Sequence, residues 1–157
     1  MKTTLLLFLA VLLAALTIVG CSDGQVFKDF EDVKHFRWEQ NDVKTFSVEV
    51  KEAGSHRVSL ALRHITETPL STVTMLYTIT DPAGNITEKE ATLRLRDADT
   101  GQLLGEVAYQ FTDAAQVVDA QWTPTSTGVY RFSVAHQMPD NPVPTIMEVG
   151  LIVEKNE

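Results

Sequence analysis

The sequence predicts an all-β protein: a single β-sandwich, immunoglobulin-like or jelly-roll-like, of about eight strands. Three observations predict it. Apolar and polar residues alternate with period two in run after run, which on a strand puts one set on a buried face and the other in water. Glycine- and proline-bearing turn sequences separate those runs. The only cysteine is Cys21, so no disulfide can staple the fold, and a core must hold it alone, which a chain of this length can do.

The first twenty residues stand outside that pattern. Lys2 gives a positive start, Leu5 to Ile18 form a nearly unbroken apolar run, and Ile18-Val19-Gly20-Cys21 follows. This is a secretory leader cut directly before a cysteine. It resembles the lipobox of bacterial lipoproteins, in which the new N-terminal cysteine is acylated, so Cys21 is the expected lipidation site. The apolar run is short for a membrane span of about 20 residues, and a lone secreted thiol would be an awkward product in an oxidising compartment. We therefore expect a signal peptide over 1–20, a lipidated cysteine and short tether over 21–26, and the sandwich over 27–157.

The tether Ser22-Asp23-Gly24-Gln25-Val26 reaches at most about 17 Å, so the domain rides close to its membrane. Asp23, just after the cysteine, faintly resembles the acidic sorting signals of surface lipoproteins in Bacteroidota. Removing Lys2 takes Lys+Arg from 13 to 12 against 21 Asp+Glu, and the formal charge from -8 to -9. That acidity speaks against nucleic acid as a partner, which demands clustered Lys and Arg. It also leaves the acyl chains, not a polybasic patch, to hold the membrane.

The strands follow in order. Phe46, Val48 and Val50 alternate with Thr45, Ser47 and Glu49, then Val58, Leu60 and Leu62 with Arg57, Ser59 and Arg63. Val73, Met75, Tyr77 and Ile79 share a face, as do Leu93 and Leu95, and then Val107, Tyr109 and Phe111. Tyr130, Phe132 and Val134 precede a final run of Met147, Val149, Leu151 and Val153. Asp81 to Asn85 and Asp97 to Gly101 read as hairpin connections with a glycine free to take positive φ, and Pro124 to Gly128 leads into a strand. One or two helical turns are expected near Asp113 to Gln116, with Asp113 as cap.

Candidate chemistry is sparse. His56 and His64 share parity on one strand but lie about 26 Å apart at roughly 3.3 Å per residue, so they cannot share a metal. Asp97, Asp99 and Gly101 lack the further ligands of a calcium loop and read as a polar turn. Gly54-Ser55-His56 is not the strand-to-helix elbow of a serine hydrolase. No pattern calls for a cofactor or a metal, and no enzyme is expected. Trp38 and Trp122 are the candidates for carbohydrate stacking, a role that requires exposed rings, whereas large aromatics commonly fill cores. The segment Met138-Pro139-Asp140-Asn141-Pro142, continuing to Pro144, is a stiff loop because proline cannot donate to a ladder. It is either a rigid crossover or a preformed docking surface.

Several stretches together resemble the gliding-motility lipoprotein H (GldH-like) family of Bacteroidota. They are Phe27 through Trp38, Phe46-Ser47-Val48-Glu49-Val50, and the arginine-ended strand Val58 to His64. Leu95 through Gly105 is similar to the family's glycine-bearing turn. The densest similarity is Gly128-Val129-Tyr130, His136-Gln137-Met138 and Met147 to Glu154. The resemblance implies a non-enzymatic lipoprotein of the cell envelope linked to gliding motility and its associated secretion machinery, with the outer membrane favoured over the inner. Its partners would be the membrane, through the lipid, and other envelope proteins. Arg63 and the proline-rich loop are the residues expected at the docking face, with sugar binding through the tryptophans as the alternative.

Overall fold

The computed structural model describes residues 24–156. It contains β1 (Gln25–Asp32), a 3-10 turn (Lys34–Phe36), β2 (Arg37–Trp38), β3 (Lys44–Val50), β4 (His56–Ile65) and β5 (Thr72–Thr80). β6 (Ile86–Arg94), β7 (Glu106–Ala108), β8 (Phe111–Trp122), β9 (Gly128–His136), β10 (Val143–Pro144) and β11 (Ile146–Lys155) follow. One sheet has the order β1-β11-β4-β8-β7, the other β3-β9-β5-β6, and β10 pairs with β2 in a small ribbon.

The pairings define the topology. Among the eight long strands, the first pairs with the last, β1 with β11. The second pairs with the seventh (β3 with β9), the third with the sixth (β4 with β8) and the fourth with the fifth (β5 with β6). All are antiparallel. A chain folded back on itself in this nested way and rolled into two sheets is a jelly roll. The sandwich predicted from alternation is therefore present, in the jelly-roll form.

The inner faces match the alternation. Val58, Leu60 and Leu62 of β4 meet Val149, Leu151 and Val153 of β11, and all six are fully buried. The other sheet contributes Phe46, Val48, Met75, Tyr77, Phe132 and Val134 to the same core. Burial of this apolar area, at about 25 cal/mol per Å², is the main stabilising term. Trp122 lies edge-on to both Tyr130 and Phe132, with ring centroids 5.2 Å away in each case. The Tyr130 hydroxyl donates to the Ser126 carbonyl at 2.9 Å and accepts from the Ser126 amide at 3.1 Å. This is the same device as the tyrosine corner of immunoglobulin-like sandwiches, and it fixes the turn that launches β9.

Both predicted hairpin turns form. The Asp81 carboxylate accepts from the amides of Ala83 and Asn85, and β5 pairs with β6 beyond it. Asp97 accepts from the amides of Asp99 and Thr100, joining Arg96 to Leu103 across an isolated bridge.

Three expectations are corrected. Asp113 to Gln116 is not helical; it lies within β8, where Asp113 pairs with Arg63 and Ala115 with Ala61. The edge of β4 needs a hydrogen-bonded neighbour, and that requirement overrides a local capping preference. Val107, Tyr109 and Phe111 do not share one strand: β7 ends at Ala108, Tyr109 takes φ 55°, and β8 starts at Phe111. Finally, pairing begins at Gln25, opposite Glu154, so the sheet starts two residues before Phe27. Cys21 and the leader lie outside the described residues.

Candidate functional site

Strand direction alternates, so the connections between the eight long strands fall at alternate ends of the sandwich. Residues 51–55, 81–85 and 123–127 make short turns at one end. The chain also enters there, with the Lys155 amide donating to the Gly24 carbonyl at 2.7 Å. Residues 33–43, 66–71, 95–110 and 137–145 make the longer connections, all at the opposite end. Loops on a rigid scaffold are where binding surfaces are built.

Three of those connections border a cleft of about 340 Å³, within the size range of ligand pockets, lined by Phe36, Ile65, Glu67, Tyr109, Phe111 and Met147 among others. Tyr109 is 91% exposed and Phe36 47% exposed. Both backbones are left-handed, with φ 55° at Tyr109 and 56° at Phe36. Bulky side chains disfavour that region, and such residues persist only where surrounding structure imposes them. The hydrogen bonds that impose it are visible. The Thr66 amide donates to the Gln110 carbonyl at 3.0 Å, pinning the β7–β8 turn. The Val33 amide donates to the Met147 carbonyl at 2.8 Å, and the Phe36 amide closes back on Val33. Thr145, also left-handed at φ 68°, accepts at its carbonyl from Ile65. Four non-glycine residues of the described chain have positive φ, namely His35, Phe36, Tyr109 and Thr145, and all lie in these connections.

Arg63 sits beside the cleft on the outer sheet face. Its Nε and Nη2 reach the two Asp113 carboxylate oxygens at 2.7 and 2.9 Å. Its Nη1 reaches Glu148 at 2.9 Å, and its guanidinium lies 4.7 Å from the centroid of the Phe111 ring. The Asp113 hydrogen bonds, aided by the charges of Asp113 and Glu148, push the Arg63 pKa up despite burial. The register extends this arrangement into a row across all five strands: Asp32, Glu148, Arg63, Asp113 and Glu106 lie side by side.

The other predicted site residues are placed as follows. Met138 is not a surface residue of its loop; it is half-buried against the core, and its Sδ accepts from the Thr74 amide at 3.3 Å. Pro139, Asp140 and Asn141 are exposed and Pro142 is half-buried. Asn141 Oδ1 accepts from the Gln40 amide at 2.9 Å, and Val143-Pro144 pairs with Trp38-Arg37. The loop is thus stitched to the β1–β3 connection, at the same end as Arg63. No hydrogen bond or ion pair joins it to Arg63 among the described residues.

Trp38 is fully buried and Trp122 is 9% exposed, so neither offers a face to a sugar. Trp38 packs edge-on to His136, and its Nε1 donates to the Asp42 carbonyl. His56 and His64 are both buried. Burial pushes the His64 and His136 imidazoles below the ordinary histidine value. Among the described residues, no group of three or more His, Cys, Asp or Glu is arranged to hold a metal ion.

The cleft aromatics escaped sequence reasoning. Phe36 lies inside the Phe27 to Trp38 stretch, where nothing in the sequence marks it as exposed. Tyr109 read as an inward strand residue, because Tyr109-Gln110 carries no glycine, proline or asparagine to mark a turn.

These features define a class: a jelly-roll domain whose long connections build an aromatic cleft at the end opposite to where residue 24 enters. Within that class the chain belongs to the GldH lipoprotein family, whose model matches residues 25–153. The family carries a membrane-associated location in the cell envelope, and no helix among the described residues is long and apolar enough to cross a membrane.

No curated protein matches the sequence. Among solved structures, the chain is similar to the TNF protein Eiger from S. frugiperda, at 13% identity and TM-score 0.37, covering 71% of this chain and 64% of that one. It is also similar to the enzymatically active domain of tailspike protein 4 of bacteriophage CBA120, at 13% and 0.38, covering 73% and 14%. A third is TmCBM61, solved with β-1,4-galactotriose, at 15% and 0.36, covering 90% and 97%. The chain spans less than two thirds of the first two. Likenesses this distant carry no argument about ligand or activity.

Proposed function

We propose that this protein is a non-enzymatic scaffold of the cell envelope, anchored by acylated Cys21 and serving gliding-motility or secretion-associated machinery. The outer membrane is its address in this reading. The observation that carries it is the cleft: exposed Phe36 and Tyr109 held outward on left-handed backbone, at a cost in conformational energy that packing alone would not require. Exposed aromatics in a concave, rigid setting are the usual anchors of protein interfaces. Family membership supports the lipoprotein setting, and the lipobox supports Cys21 as the anchor. The mechanism is positional. An anchor confines the domain to a thin layer, and confinement raises its effective concentration for partners in that layer.

Crosslinking and co-purification from the native envelope test this, with Cys21→Ala as control. A defined complex that is lost in the control is the expected outcome. Recovery of lipid and glycan alone would sink the scaffold reading.

A further inference from the structure

The charge around the cleft says what its partner carries. Of the five side chains in the row beside it, four are carboxylates (Asp32, Glu148, Asp113 and Glu106) and one is the Arg63 guanidinium. Arg63 is held by two of those carboxylates, so the row keeps an excess of negative charge. Glu67 adds a carboxylate to the cleft wall itself. The basic side chains Lys34 and Arg37 line a separate shallow hollow, together with Glu39 and Asp42. The aromatic cleft is therefore bordered by acid, in a chain whose formal charge is already -8. Apolar walls with an acidic border complement a segment that presents an apolar side chain flanked by lysine or arginine.

Direction adds a second constraint. β4 runs from His56, at the end where residue 24 enters, to Ile65 in the cleft wall. At roughly 3.3 Å per residue that is about 30 Å. With the chain anchored through residue 21, the cleft lies at the end of the domain away from the lipid, facing whatever stands opposite the membrane.

We propose that the Phe36–Tyr109–Phe111 cleft is a membrane-distal docking site for a short basic polypeptide segment of an envelope partner. An apolar side chain of the segment seats between the rings, and its cationic residues face Glu67 and the acidic row. This deepens the scaffold reading and rests on it.

The test uses the mature lipidated chain in nanodiscs of neutral lipid. The probes are a lysine-rich peptide with one central phenylalanine, its glutamate-for-lysine counterpart, and a neutral oligosaccharide. The expected result is binding of the basic peptide alone, weakened tenfold or more by Tyr109→Asn. Asparagine tolerates left-handed backbone, so this change removes the ring and keeps the turn. Glu67→Gln should weaken the same binding several-fold. Raising salt from about 50 to about 500 mM should also weaken it, because exposed charges are screened. Failure of the basic peptide to bind, or equal affinity in Tyr109→Asn, overturns the proposal. So does oligosaccharide binding that depends on Tyr109. Crosslinking in the native envelope separates the two readings. A complex that survives Tyr109→Asn overturns the cleft as its docking site and leaves the scaffold standing; no complex in the wild type removes both.

Discussion

The ring of Phe30 covers Gly150 on the outer face of the five-stranded sheet. The two residues are register partners on β1 and β11, and a Cβ built on Gly150 would lie 2.4 Å from Phe30 Cε1. Gly150 is buried and its backbone is ordinary strand. The glycine is there to make room for the ring, which helps dock β1 onto the sheet.

Gly150→Ala should therefore destabilise the domain by about 1–3 kcal/mol, the usual range for overpacking. Most of that cost should vanish in a Phe30→Ala background. Urea unfolding of the four proteins of this double-mutant cycle measures the coupling. Additive effects would show that the clash is relieved some other way.

Arg63→Lys should lose nearly as much stability as Arg63→Met, about 1 kcal/mol in either case. The planar fork that bonds both Asp113 oxygens while lying over Phe111 cannot be copied by an ammonium. Thermal unfolding of the two variants side by side is the check. Full rescue by lysine would reduce the role of Arg63 to charge alone.

Tyr130→Phe removes the hydroxyl that both donates to and accepts from Ser126. A loss of about 1 kcal/mol is expected, with faster amide exchange at Ser126, whose N–H loses its acceptor. Unchanged exchange there would mean that the turn holds itself.

Acid should weaken the fold through His64 and His136. Both are fully buried, and each leaves its Nε2 without a partner among the described residues. Burial holds their folded-state pKa values below 6.5, so unfolded chains take up protons more readily than folded ones as pH drops. Their contribution is complete above about pH 6.5 and is lost as pH falls from there through the folded-state values. Urea midpoints should decline between pH 7.5 and pH 5, and less so in His136→Phe. A flat midpoint in the wild type would contradict this.

Much of the fold was legible in the residues because alternation is a local signal with a global meaning. Val58, Leu60 and Leu62 could face inward together only on a strand, and they do. The turns at Asp81 and Asp97 announced themselves through residues that bond their own backbone. Tyr109 did not, because its turn is enforced from outside, by Thr66 donating to Gln110. Asp113 also misled: its carboxylate could have capped a helix, but the open edge of β4 and the guanidinium of Arg63 claimed it.

The sequence by itself determined the apolar run ahead of Cys21, the acidity of the chain and the parity of the core. These depend on local chemistry or on period-two spacing, and both are properties of neighbours along the chain. Tertiary structure alone decided that residues 32, 63, 106, 113 and 148 form one row, and that Phe36, Tyr109 and Phe111 form one cleft. Their separations in sequence have no common period. They meet because the nested pairing of the jelly roll sets the register of five strands and brings its four long connections to one end.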